Sequence, residues 1–182
     1  MEIIIGSKAD IKSILPLAKL LQQAHIVNEK SIFKKFSKRK VFSFFEKNLA
    51  DGCATLLVAR EGKKTAGYVL IVEHSAREST FTHPRRFIVL QHIVVAPEFQ
   101  KQGFGRELTL RAKQIAQGKG FAHLELGVWA FNTAAQRLFS SCGFGPMLIN
   151  MRADLPRIGT DAKTRPKIEK MWNNYLHGSY RL

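Results

Sequence analysis

At 182 residues, with 45% apolar and 24% charged residues, the chain is sized and composed for one globular domain with its own core, and it carries no low-complexity tract and no repeat at a solenoid period. Lys and Arg number 29 against 14 Asp and Glu, a formal charge of +15 that bears on partners and solubility rather than on fold. The start "MEIIIGSKAD" lacks the basic and long apolar stretches of a secretory signal, no window approaches the roughly 20 apolar residues of a membrane span, and Cys53 and Cys142 offer neither a disulfide framework nor metal-ligand spacing, so the expected address is the cytoplasm, with no metal.

"EIII" reads as a first strand. Ile11, Ile14, Leu15, Ala18 and Leu21 then recur at helical spacing, with Ser7 or Asp10 placed to cap the start. A second helix is expected with Phe33, Phe36, Val41, Phe44 and Phe45 on its apolar face and Lys34, Lys35, Lys38 and Arg39 largely on the other. "DG" at 51 and 52 ends it. "CATLLVAR", "TAGYVLIVEH" and "RFIVLQHIVV" read as three strands, the first two close enough for a hairpin through "EGKK".

From Gly103 the period changes, because Phe104, Leu108, Ala112 and Ile115 line one helical face up to Gly118 and Gly120. "HLELGV" returns to strand alternation. Asn132 caps a further helix with Ala135, Leu138, Phe139 and Cys142 inside and Gly143 just past its end. "PMLINMRA" (146–153) reads as a last strand, and the basic stretch beyond Pro156, with Trp172 and Tyr175, as a short helix packed on the body or a loose tail.

The strand, turn and helix spanning "VAPEFQKQGFGREL" (95–108) present free backbone N–H groups at the positive end of a helix, an arrangement suited to phosphate oxygens. A P-loop would need Lys and Ser or Thr after the last glycine, where Arg106 and Glu107 stand. A dinucleotide fingerprint would need a third glycine at position 108, which is Leu.

What fits is Gln100-x-x-Gly103-x-Gly105 after Val95-Ala96-Pro97, and here the chain resembles the GNAT superfamily of N-acetyltransferases. "LELGVWAFNTAAQRLFSSCGF" resembles the family's next block, with Leu126, Val128, Asn132, Ala135, Leu138, Gly143 and Phe144 in register. The resemblance is firm over residues 87–145 of a single domain spanning 1–182, and the basic extension 156–182 lies outside it. It implies an α/β fold with a central mixed, mostly antiparallel sheet of six to seven strands, about four helices, and strands 4 and 5 splayed into a V.

The same resemblance implies acetyl-CoA as co-substrate, its pyrophosphate on the N–H groups of Gln102, Gly103, Phe104, Gly105 and Arg106, with Gln100 in the motif and Lys101 and Arg106 adding charge. Backbone groups of Ile93, Val94 and Val95 would meet the pantetheine arm and thioester oxygen, with Asn132, Ala135 and Phe139 beside them.

Two departures from the family pattern concern protons. Where many members place Glu or Asp on the fourth strand, this chain has Gln91 and His92; glutamine cannot be a base, which leaves His92, with Glu73, His74 and Glu125 as weaker candidates. The frequent tyrosine acid is replaced by Phe139, so that Ser140, a neighbouring hydroxyl or water must act, or no acid is needed.

"KSIFKKFSKRK" on the expected acceptor wall argues against polycationic amines. Three readings stand: an N-acetyltransferase for a small or peptidic, neutral or acidic amine; the same chemistry on an RNA-linked or ribosomal target, which would explain the charge; and a non-catalytic acyl-CoA-binding module, consistent with Phe139. The charge is equally that of solvated helix faces, and monomer and homodimer both suit the family.

Overall fold

The computed structural model describes residues 1–153 and residue 155. Its elements are β1 (Glu2–Gly6), α1 (Ile11–Asn28), α2 (Lys38–Ala50), β2 (Ala54–Glu61), β3 (Lys64–Ala76), β4 (Arg85–Val95), α3 (Phe104–Gly118), β5 (Leu124–Leu126) and α4 (Thr133–Ser141). The chain divides into two units, Met1–Gly145 and Pro146–Leu182, and all these elements belong to the first. The strands form one sheet in the order β1-β2-β3-β4-β5, antiparallel except for the parallel β4–β5 pair.

Side-chain alternation gives the sheet two buried faces. Leu56, Val58, Tyr68, Leu70 and Val72 pack with Ile11, Ile14, Leu15 and Ala18 of α1 and Phe45 of α2. The intervening Leu57, Ala59, Val69 and Ile71 pack with Phe104, Leu108 and Ala112 of α3 and Phe139 of α4. Each fully buried Leu, Ile or Val contributes about 1.5–3 kcal/mol relative to exposure, so this double coverage explains why β2 and β3 read as nearly continuous apolar runs. The hairpin between them closes as expected, Glu61 opposite Lys64 around Gly62 at φ +56°.

Helix boundaries follow from local chemistry. The Ser7 hydroxyl accepts from Ala9 N–H while the Asp10 carboxylate accepts from Ser7 N–H, a capping box on the 3-10 turn that leads into α1. The hydrogen bond from the Ser7 backbone N–H, with smaller contributions from the Ser7 hydroxyl and the Arg60 guanidinium, outweighs burial and holds the Asp10 carboxyl below its usual range.

Three expectations are corrected. The second helix starts at Lys38, and Phe33 and Phe36 lie in the connection before it, where Phe33 stacks on His25 of α1 with centroids 4.6 Å apart. "HLELGV" yields only the three-residue β5. The described residues hold five strands rather than six to seven, because Pro146–Ala153 has no regular structure and exposes Met147, Leu148, Ile149 and Met151; alternation makes a strand only where a ladder and a buried face are available. The proposed helix containing Trp172 and Tyr175 lies outside the described residues. Among the described residues no helix is long and apolar enough to cross a membrane.

Candidate active site

The turn between β4 and α3 contains two left-handed residues, Lys101 at φ +60° and Gly103 at φ +90°. Glu107 N–H closes the first turn of α3 on the Gly103 carbonyl at 3.0 Å, so the N–H groups just before it have no partner within the helix and point out of its N-terminus. The turn is braced from below: Gln100 Nε2 donates to the Val95 carbonyl at 3.1 Å and Gln102 Nε2 to the Glu98 carbonyl at 2.7 Å. Both glutamines thus use side-chain donors to hold the loop. Lys101, Gln102 and Arg106 are exposed beside the backbone N–H groups.

The two glycines of the motif have different causes. An added Cβ at Gly103 would meet nothing within 4 Å, so the constraint there is its positive φ, and the space above it is open. At Gly105, inside α3, a Cβ would sit 3.2 Å from Leu138 Cδ2 and 3.7 Å from Val95 Cγ2; glycine lets α4 and β4 close on the helix. Phe104 is buried against Phe99, leaving only its N–H to face a ligand. An open, N–H-lined turn flanked by Lys101 and Arg106 fits a pyrophosphate.

On β4, Leu70 pairs with His92 and Ile71 with Leu90, so Gln91 is an extra residue opposite no partner on β3. The bulge reverses the alternation of the strand. Ile88 and Leu90 face α3, as Ile93 and Val95 do, whereas His92 and Val94 turn toward α1 and α2. Beyond the bulge β4 also loses its neighbour: β5 pairs only with Ile88, Val89 and Leu90 and stops at Leu126. Ile93, Val94 and Val95 therefore have one strand edge without a β5 partner among the described residues, which is the expected V.

His92 lies among rings. It stacks on Phe44 with centroids 5.7 Å apart and 25° between planes, meets the edge of Phe45 at 5.8 Å, and its Nδ1 is 3.3 Å from the hydroxyl of Tyr68. Burial, with a smaller contribution from nearby His25, pushes the imidazole down to about 4, so it is neutral at pH 7. Burial raises the Tyr68 phenol above its usual range. The weaker base candidates are engaged elsewhere: Glu73 bonds Lys119 at 2.8 Å and Arg86 at 3.5 Å, Glu125 pairs with Arg85, and His74 stacks on Phe87.

Asn132 caps α4, its Oδ1 accepting from Ala135 N–H at 3.1 Å. Phe139, 5% exposed, packs with Phe144 at 5.7 Å in the α3-side core. Three residues with no part in the sequence-derived site, His25, Trp129 and Phe131, join Phe33 of the basic segment to extend the wall around His92: His25 and Phe33 are stacked, Trp129 lies 5.4 Å from Phe33 and Phe131 5.9 Å from Trp129. Gln136 Nε2 fixes this loop by donating to the carbonyls of Trp129 and Ala130. "WAF" immediately before Asn132 was the available signal. Among the described residues no three His, Cys, Asp or Glu side chains gather as metal ligands.

The family model described as acetyltransferase (GNAT) family matches residues 19–144. None of the curated proteins matches the chain. Among solved structures, a tetramutant of the BH1408 protein from Bacillus halodurans is similar at TM-score 0.78 and 20% identity, covering 85% of this chain and 100% of that one. An aminoglycoside 6'-N-acetyltransferase from Acinetobacter haemolyticus is similar at TM-score 0.63 and 16% identity, covering 86% and 100%. A ribosomal-protein-alanine N-acetyltransferase from Brucella melitensis biovar Abortus is similar at TM-score 0.62 and 17% identity, covering 85% and 100%. At these identities the likeness is one of fold.

Proposed function

Because the chain belongs to the acetyltransferase (GNAT) family, we propose that it moves the acetyl group of acetyl-CoA to the primary amine of a small or peptidic, neutral or acidic acceptor within one ternary complex. The observation that supports this most is a juxtaposition: the N–H-lined turn at Lys101–Gly105 is tied through Gln100 to Val95, at the unpaired end of β4.

Acetyl-CoA, when bound, supplies an activated acetyl thioester. The N–H groups of Gln102 to Arg106 hold its phosphates, with Lys101 and Arg106 adding charge. The open edge at Ile93–Val95 binds the pantetheine arm and donates to the thioester oxygen as it gains charge. Asn132 has spent its Oδ1 on the α4 cap and has Nδ2 to donate to the arm. Ala135 and Phe139 back that side. The amine nitrogen attacks the thioester carbon; the C–N bond forms, the C–S bond breaks, the amine gives up one proton and the thiolate takes one. Phe139 has no proton to give, and a thiolate whose conjugate thiol has an ordinary pKa near 8.5 takes its proton readily from water at neutral pH.

Lys30, Lys34, Lys35, Lys38, Arg39 and Lys40, between and at the start of the helices that flank His92, are all exposed. That charge disfavours polycations and suits an acceptor carrying carboxylate or phosphate. It also supports the second reading, an RNA-linked or ribosomal target. The structural neighbours do not choose between them, since one acts on an aminoglycoside and another on a ribosomal protein.

Steady release of free CoA thiol with any member of a broad amine panel tests the enzyme reading. Binding of acetyl-CoA with no release from any amine would instead leave the non-catalytic acyl-CoA module. Salt titration of RNA binding tests the second reading: a steep log–log slope supports it, and no binding at physiological ionic strength removes it.

A further inference from the structure

We propose that Tyr68 fixes His92 as the tautomer protonated at Nε2, so that His92 serves the acetyl-transfer site as a hydrogen-bond donor to the acceptor and not as the base that deprotonates it. The functional half of this inference rests on the acetyltransferase reading; the tautomer itself does not.

The argument is a proton count. Tyr68 is fully buried, and its hydroxyl has one partner among the described residues, Nδ1 of His92 at 3.3 Å. A phenol carries one hydrogen, and burying it unpaired forfeits its hydration with nothing in return. Were Nδ1 protonated, it would donate to the phenol oxygen and strand that hydrogen in an apolar core of Phe45, Leu70 and Val58. The phenol hydrogen therefore points at a bare Nδ1, and the ring's hydrogen is on Nε2. The high affinity of the buried phenol for its proton and the neutral imidazole agree with this arrangement.

Sheet register makes the contact. Tyr68 pairs with Val94 and Leu70 with His92, so Tyr68 and His92 are diagonal neighbours, and they share a face only because the Gln91 bulge has turned His92 toward α1 and α2. The remaining ring nitrogen is accessible: Nε2 has no hydrogen-bond partner among the described residues, and no buried side-chain nitrogen or oxygen there is left unpaired. It is a free N–H one residue from the start of the open strand edge at Ile93. Among the described residues the ionisable side chains beside it are Tyr68 and His25, with no carboxylate that would draw the proton to Nδ1 or charge the ring. A donor here selects amines that carry a carbonyl, carboxylate or phosphate oxygen near the nitrogen, in keeping with the basic surface around Lys34 and Lys35. Tyr68 is thus a positioning residue, acting through His92.

The tautomer is read on the full-length protein labelled with nitrogen-15, from long-range proton–nitrogen spectra at pH 7, with His92 assigned by its absence in His92→Gln. A proton on Nε2 and a bare Nδ1 are expected; a proton on Nδ1 overturns the proposal whether or not the protein turns over an amine. The role is read from kcat/KM of His92→Gln, which keeps an N–H donor but no base, against His92→Glu, which keeps a base but no donor. The first is expected within about 10-fold of wild type and the second down about 100-fold or more; the reverse order overturns the donor role. Tyr68→Phe is expected to raise the acceptor KM more than it lowers kcat, and an unchanged KM removes Tyr68 as a positioning residue. A wild-type protein that releases no thiol from any amine sinks the acetyltransferase reading, and the spectrum still decides the tautomer.

Discussion

The side-chain amide of Gln100 donates to the main-chain carbonyl of Val95 at 3.1 Å, tying the turn before α3 to the last residue of β4. The turn would hold phosphates and the strand the pantetheine arm, so this bond sets the spacing between the two ends of one ligand. Gln100→Ala should loosen that spacing at a cost of about 1 kcal/mol, the usual worth of such a bond, or roughly 5-fold in affinity. The expected result is a 5- to 10-fold higher Kd for acetyl-CoA by calorimetry with kcat little changed. A change confined to kcat would mean that the brace serves the chemistry and not the binding.

Gly103 and Gly52 form a matched pair for separating strain from function. Both have positive φ, +90° and +69°, and an added Cβ meets nothing within 4 Å at either. Alanine should therefore cost about 1–2 kcal/mol of folding stability at each site, seen as a similar fall in Tm. Only Gly103→Ala should also weaken acetyl-CoA binding, because its methyl group enters the space above the N–H groups. Equal binding by both variants would place the pyrophosphate elsewhere.

Much of this site was legible in the letters because its causes are local. Gly103 at positive φ, the Asn132 cap and the Gly143 stop are each dictated by one residue and its neighbours, and they appear where the spacing put them. The face of His92 was not legible. Strand alternation assigns it to the same side as Leu90, and only the pairing of β3 with β4 reveals the extra residue at Gln91 that turns it over. Phe33 shows the same limit: its spacing fits a helix, but a stacking partner 8 residues earlier, His25, holds it in the connection. Long-range contacts decided both.

The neutral His92 makes stability depend on pH. Its usual value of 6.5 is depressed to about 4 in the folded protein, first by burial and then by His25. Between those values the unfolded chain binds the proton that the folded chain refuses, so stability is full above about pH 6.5 and declines as pH falls toward 4. At 1.36 kcal/mol per pH unit the gap corresponds to about 3 kcal/mol. Burial lowers His25 as well, which adds to the loss in the same direction. Urea midpoints measured from pH 7.5 to 4.5 should fall for the wild type and flatten for His92→Gln. Parallel curves for the two proteins would assign the acid sensitivity to other groups.

Trp129 joins the two halves of the aromatic wall, its ring 5.4 Å from Phe33 on one side and 5.9 Å from Phe131 on the other. Phe33 belongs to the connection between α1 and α2, while Trp129 and Phe131 precede α4, so the contact ties the basic segment to the loop that carries Asn132. Aromatic pairs of this kind contribute about 0.5–1.5 kcal/mol each beyond their buried area. Trp129→Ala should therefore lower stability by about 1–2 kcal/mol, a Tm drop of about 2–8 °C. Its larger effect should be on the acceptor: a KM at least about 5-fold higher, with the Kd for acetyl-CoA within about 2-fold of wild type, because the turn before α3 is held independently by Gln100 and Gln102. Trp129→Phe keeps a ring and should recover most of the loss. Equal weakening of both substrates would show instead that the wall supports the Asn132 loop and takes no part in acceptor choice.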